Sequence, residues 1–285
     1  MFAFVVVIPL VLVSTCGTPP KTESAEVQAE IPAESTMTST TSTSTTTSTT
    51  STTIDPSSFQ LPAPGSLSGK VVAIDPGHNG RNYAHPSEIN QLVNIGTKMK
   101  ECDTSGTATY GGYSETAHNW DVAQRLSEIL RTAGATVVLT RPDDNGWGPC
   151  ITERAAIGNN ARADVAISIH ADGGPDSGTG FHVLHPALVV GMTESIFEPS
   201  KRLAIYVRDA FATATATTYA SYLGSSGLMQ RSDLGGLNLS NVPKVFIEAG
   251  NMRNAGDAAK LTDPTFRQKE AEGLAAGISR FLAGT

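Results

Sequence analysis

Four side chains in this sequence stand where short apolar runs end or where an amphipathic run begins. His78 follows Lys70-Val-Val-Ala-Ile-Asp75-Pro76-Gly77, His170 follows Val165 to Ile169, Glu248 follows Lys244-Val-Phe-Ile247, and Glu115 opens a helical pattern after Ser114. Two imidazoles and a carboxylate that leave a fourth position free make a catalytic zinc site, whereas structural zinc sites are usually closed by cysteines. No Cys pair offers that structural alternative. Glu248, at the end of a buried strand, would have its pKa raised by partial desolvation, which suits a general base. Taken singly, each residue has an ordinary explanation. Glu115 can complement a helix dipole, His78 can be a turn residue, His170 a hydrogen-bonded core histidine, and Glu248 a strand-end carboxylate paired with Arg253 or Arg141.

The elements that must position them follow from periodicity. Residues 70–75 read as a strand buried on both faces and stopped by Pro76-Gly77. Residues 79–113 show no sustained period and read as a long ordered loop. From an N-cap at Ser114, Ala117, Trp120, Ala123, Leu126, Leu130 and Ala133 recur three or four apart, predicting a helix closed by Gly134. Strands are predicted over 135–140, 164–169, 180–184, near Leu228 and over 244–247, and helices over 152–162, 192–216 and 264–282. This alternation predicts an α/β fold, a single domain with a largely parallel central sheet flanked by helices on both faces. Active groups in open α/β sheets lie beyond the carboxyl ends of strands, so His78, His170 and Glu248 share an edge, and Glu115 starts a helix on the same side.

Four separated segments carry a resemblance to a known family: Ile74-Asp75-Pro76-Gly77-His78-Asn79-Gly80, Ser114-Glu115, Ser168-Ile169-His170-Ala171-Asp172, and Pro243 to Asn254. Leu139-Thr140-Arg141 and Thr152-Glu153-Arg154 through Ala161 add to it. Over residues 69–282 the chain resembles the zinc-dependent N-acetylmuramoyl-L-alanine amidases of the amidase-3 type, which trim bacterial peptidoglycan. The resemblance implies that His78, Glu115 and His170 bind Zn²⁺, that Glu248 is the catalytic general base, and that the bond cleaved joins N-acetylmuramic acid to L-alanine in peptidoglycan or muropeptides. The stretch from Arg81 to Gly112, with Cys102, is similar to the Gly-rich loop of mycobacterial members rather than to a helix that blocks the zinc. Two alternatives stay open: a zinc peptidase acting within the stem peptide, and a peptidoglycan-binding domain without turnover. No G-x-S-x-G elbow, Gly-rich phosphate loop or catalytically placed Cys supports another chemistry.

Among the other histidines, His118 is the foremost rival ligand or outer partner, three residues after Glu115 on one helix face. His182 alternates with Phe181 and Val183 and faces another layer, while His85 and His185 precede prolines and read as loop residues. Asn119 and Asn251 are candidates for orienting substrate. The chain has 285 residues, and its 27 acidic against 20 basic groups give a formal charge of -7, which disfavours a general grip on nucleic acid or anionic lipid. Residues 38–53 are all Ser or Thr and bring no apolar surface to offset chain entropy, so 17–60 reads as a disordered linker and 61–285 as the catalytic domain, expected to be monomeric. Met1 to Val13 is an apolar run too short to cross a bilayer as a helix and of a length suited to a signal segment ending by residue 16, without the usual basic start. Val13-Ser-Thr-Cys16-Gly17 resembles a lipobox. Cys16 as a lipidated anchor and ordinary cleavage near it both remain open, and either implies export to the cell envelope or beyond. Of 3 cysteines, Cys102 and Cys150 are then the natural disulfide pair, with two buried thiols as the alternative.

Overall fold

The structure, a computed structural model, describes residues 59–224 and 226–284. The signal segment 1–16 with Cys16, and the linker through residue 58, lie outside the described residues. The described residues belong to the unit Thr53–Thr285.

β1 (Val71–Pro76) is buried along nearly its whole length, as its unbroken apolar run requires. The region read as a loop holds a 3-10 turn at Asn82–Ala84, a single helical turn α1 (Pro86–Ile89), and a hairpin of β2 (Leu92–Asn94) and β3 (Met99–Glu101). Each hairpin strand is three residues long and largely exposed, too short for any hydrophobic period to register. α2 (Glu115–Thr132) begins at Ser114, whose hydroxyl accepts from Ala117 N at 3.2 Å. Val122, Leu126 and Leu130 bury one face of it at helical spacing.

β4 (Thr136–Leu139), α3 (Ile151–Asn160), β5 (Val165–Asp172), β6 (His182–Pro186), α4 (Glu194–Thr215), β7 (Leu228–Arg231), α5 (Gly235–Asn238), β8 (Lys244–Asn251), α6 (Ala255–Leu261) and α7 (Pro264–Ala283) complete the order. The six-stranded sheet has the order β4-β1-β5-β8-β6-β7. β4, β1, β5 and β8 run parallel, β6 pairs antiparallel with β8, and β7 runs parallel to β6. The fold is therefore α/β with a mostly parallel sheet.

Strand alternation sorts the sheet into two unlike faces. Val72, Ile74, Val165, Ile167, Ile169, Phe181, Val183, Val245 and Ile247 point to one side and join α2, α4 and α7 in the main core. Fully burying side chains of this kind contributes about 1.5–3 kcal/mol each. α4 and α7 approach closely because α7 offers Gly273 and Gly277, where a Cβ would stand 2.9 Å from Phe211 Cα and 2.7 Å from Val207 Cα. On the other side, α3 brings Gly158 to Ala73 and α5 brings Gly236 to Phe246. The intervening positions on that face, Asp75, Ser168, His170, Lys244, Glu248 and His182, are polar. Asp75 sits among Arg154, Lys244, Ser168 and Thr140, accepting from each at 2.6–3.2 Å.

Candidate metal centre

His78 leaves β1 with a positive φ of 56°, a left-handed conformation uncommon for a residue with a Cβ. Its backbone is pinned by Arg154, whose Nη2 donates to His78 O at 2.8 Å, while Asn119 Nδ2 donates to Gly77 O at 3.2 Å. Gly77 has no side chain for a simple reason: a Cβ there would overlap the His170 ring. The imidazole of His78 meets Asp103 Oδ1 through Nδ1 at 3.0 Å and turns Nε2 toward Glu115 Oε1 at 3.4 Å.

Glu115, in the first turn of α2, is buried. Its Oε1 lies 2.9 Å from His170 Nδ1, and its Oε2 accepts from Thr107 N at 2.9 Å. His170 stacks on Phe246, centroids 5.4 Å apart, and meets His78 edge-on at 4.9 Å. One donor atom from each of His78, Glu115 and His170 lies within 4.8 Å of the others. Donors about 2.0–2.1 Å from a tetrahedral zinc stand roughly 3.3 Å apart. Two imidazoles, one carboxylate and this spacing fit a small N/O-binding dication such as Zn²⁺.

β8 supplies Glu248 from the same face and edge, in register with His170 on one side and His182 on the other. It lines an open cleft with His78, Glu115, His170, Thr107 and Gly173. Burial, then the charges of Glu115 and Asp172, push the Glu248 carboxyl well above the usual range, against weaker opposition from His78 and Arg231. Glu115 behaves oppositely: burial disfavours its charge, but the two imidazoles hold its carboxyl well below the ordinary value. For His78, burial is outweighed by Glu115 and Asp103, which bring the imidazole up to about 10.

The structure thus gathers the four residues singled out by sequence. It gives Glu248 no ion pair with Arg141 or Arg253, since Arg141 meets Asp144 at 2.8 Å and Arg253 covers the Tyr110 ring. His118 does not join the cluster. It turns into the core, Nε2 at 2.9 Å from Glu270, because its position on α2 faces α7 rather than the strand ends. Asn119 and Asn251 are not free to orient substrate either. Asn119 braces Gly77 O and approaches Glu115 Oε1 at 3.4 Å, and Asn251 holds Pro175 O and Gly178 O. His182 is buried with Nδ1 unpartnered, and burial lowers it to about 4. His85 pairs with Glu88 and stacks on Trp147, and His185 lies buried beside Pro186 O. Cys102 and Cys150 are joined by a disulfide, Cα atoms 4.6 Å apart. Asp103 carried no sequence signal, sitting in an aperiodic loop, and Arg154 showed only as part of a helix motif.

An α/β sheet that brings His78, His170 and Glu248 from its strands together with Glu115 from α2 makes a site of the kind hydrolases use. The chain belongs to the amidase-3 family, described as N-acetylmuramoyl-L-alanine amidase, which matches residues 72–280. It is 42% identical over 221 residues to an N-acetylmuramoyl-L-alanine amidase of Mycobacterium tuberculosis, covering 77% of this chain and 89% of that protein. Its fold matches the crystal structure of the N-acetylmuramyl-L-alanine amidase Ami1 from Mycobacterium smegmatis, with TM-score 0.72 and 41% identity, over 77% of this chain and 99% of the other. The apo form of Ami1 from Mycobacterium abscessus matches with TM-score 0.71 and 44% identity, over 76% and 100%. Among the described residues, no helix is long and apolar enough to cross a membrane.

Proposed function

We propose that this protein is a zinc-dependent amidase that hydrolyses the bond between the lactyl group of N-acetylmuramic acid and L-alanine in peptidoglycan or muropeptides. The observation that carries the reading is the meeting of His78, Glu115 and His170 within 4.8 Å beside Glu248. His78, Glu115 and His170 would hold Zn²⁺, with the cleft side left open. A zinc ion held there supplies Lewis acidity to the amide carbonyl and brings the pKa of water toward 7.

Glu248 takes the proton from the attacking water and passes it to the departing amine, so that one water is consumed and a muramic carboxylate and a peptide beginning with L-alanine are released. Its place in the cleft keeps Glu248 beside the cluster, where one carboxylate can make both transfers. The protein acts outside the cytoplasmic membrane as a monomer. Its disulfide suits an oxidising compartment. A lipidated Cys16 would tether it at the membrane, and the mass of the mature N-terminus separates that form from a released one.

Mass spectrometry of products from a defined muramyl peptide, with and without chelator, tests the reading. A chelator-sensitive split between glycan and L-alanine supports it; cuts confined to the stem peptide overturn it in favour of a peptidase. Glu248→Gln should bind zinc as the wild type does and lose about 10²- to 10⁴-fold in kcat.

A further inference from the structure

The surroundings of His78 are built in more detail than a ligand alone requires. A left-handed backbone at a residue with a Cβ persists only where neighbours hold it. At His78 the neighbour is Arg154, buried, which spends Nη2 on His78 O at 2.8 Å and Asp103 Oδ2 at 3.0 Å, and Nη1 on Pro76 O at 2.8 Å and Asp75 Oδ1 at 2.9 Å. Asp103, 5% exposed, turns its other oxygen to His78 Nδ1 at 3.0 Å. Acceptors at Nδ1, Asp103 Oδ1 and Thr104 O at 3.1 Å, would keep a proton there when a metal takes Nε2, which faces the cleft with Glu115 3.4 Å away. One guanidinium therefore fixes the backbone of His78 and the carboxylate that orients its ring.

Neither group sits on an element that carries a metal-cluster residue. Asp103 follows Cys102 in the loop after β3, and Arg154 lies in the first turn of α3, after Cys150. The two segments are 48 residues apart along the chain and are tied by the Cys102–Cys150 bridge and by Ile151 N donating to Cys102 O at 2.8 Å. Between α1 and α2 the only regular structure is the short hairpin β2–β3, which leaves the bridge as the covalent restraint nearest to Asp103.

We propose that Asp103 and Arg154 are positioning residues that hold His78 in its metal-binding tautomer and backbone conformation, and that the Cys102–Cys150 bridge keeps the two in register, so that metal retention depends on the oxidised bridge. This rests on the zinc reading above. Loss of the bridge frees the Cys102 segment to move, Asp103 leaves Nδ1, and the ring is no longer held with Nε2 toward the cleft.

Zinc affinity is measured by competition with a chromophoric chelator on the wild type, Asp103→Ala, Asp103→Asn and Cys102→Ser/Cys150→Ser, alongside near-UV circular dichroism and thermal unfolding of the zinc-free forms. Asp103→Ala should bind zinc about 10- to 100-fold more weakly. Asp103→Asn, which keeps an oxygen acceptor for Nδ1–H, should recover part of that loss. The double serine variant, or wild type whose bridge has been opened by a phosphine reductant, should weaken in the same range as Asp103→Ala. A purely structural role would lower the unfolding midpoint and leave the zinc affinity of the folded protein unmoved. Wild-type affinity in folded Asp103→Ala, or no recovery in folded Asp103→Asn, overturns the positioning role. Wild-type affinity in the reduced or double serine protein overturns the dependence on the bridge. A wild type that takes up no zinc refutes the metal centre itself, a result distinct from either.

Discussion

The ion pair of His118 and Glu270 is fully buried, and its removal has a calculable outcome. Both side chains have no exposure, and their atoms meet at 2.9 Å. His118 Nδ1 is satisfied by Asn119 Oδ1 at 3.2 Å, but Glu270 Oε1 is buried without a partner. A buried pair offsets its desolvation only when its remaining lone pairs are also satisfied, so this one contributes little net stability. Removing one member leaves an uncompensated buried charge. Glu270→Ala should therefore cost about 3–5 kcal/mol, a large share of the roughly 5–15 kcal/mol of a typical domain. His118→Leu with Glu270→Met removes both charges and refills the volume, and should return to wild-type stability or exceed it by about 1–4 kcal/mol. Urea unfolding followed by tryptophan fluorescence measures both. The pH dependence has a definite sign: burial opposes the His118 charge, but Glu270 raises its pKa above 6.5, so the stabilisation is complete below 6.5 and is lost as pH rises through the folded value. The gap between wild type and Glu270→Ala should narrow in that direction. A double variant as unstable as the single one would refute the accounting, and loss of zinc in a folded double variant would return His118 to the metal.

Gly77→Ala should displace the His170 ring, cost about 1–3 kcal/mol from overpacking, and lower zinc occupancy with the helical circular dichroism unchanged. Asp75→Asn should destabilise by about 3–5 kcal/mol at neutral pH, since Lys244 and Arg154 lose their shared buried partner. Burial opposes the Asp75 charge, but Lys244 and Arg154 hold its carboxyl well below 3.8, so its contribution is present above pH 3.8 and vanishes as acid protonates it. Denaturant midpoints of variant and wild type should converge at low pH, and a gap that persists there would show the aspartate charge to be irrelevant.

The regular elements were legible because each is long enough to repeat its period. His78 just past β1 and the cap at Ser114 are read from the apolar runs beside them, whereas β5 and β8 run on to Asp172 and Asn251, past the His170 and Glu248 expected to follow them, because the polar residues there continue the pairing; the four residues, spread over 171 positions, still emerge together from those runs. What escaped was local. The strands of hairpin β2–β3 and the turn α1 are too short to repeat a period, and α6, a seven-residue helix capped by Asn254, has only Asp257 and Leu261 buried. His118 misled because helical spacing places it near Glu115 along α2 but cannot say which way the helix is rolled, and the α7 face captured it. Asp103 was invisible since its partner Arg154 is 51 residues away and nothing in either segment's composition announces the contact.

β8 lies between β5 and β6, although it is the last strand in the chain. Until β8 has been made, its two neighbours in the sheet have nothing to pair with across the gap, and the carboxylate proposed to move the proton is absent. A chain stopped before β8 would carry β1, α2 and β5, with their histidines and Glu115, but not Glu248. In a wall amidase the strand that completes both the sheet and the proposed site would thus be laid in last among the strands, at the centre of the sheet.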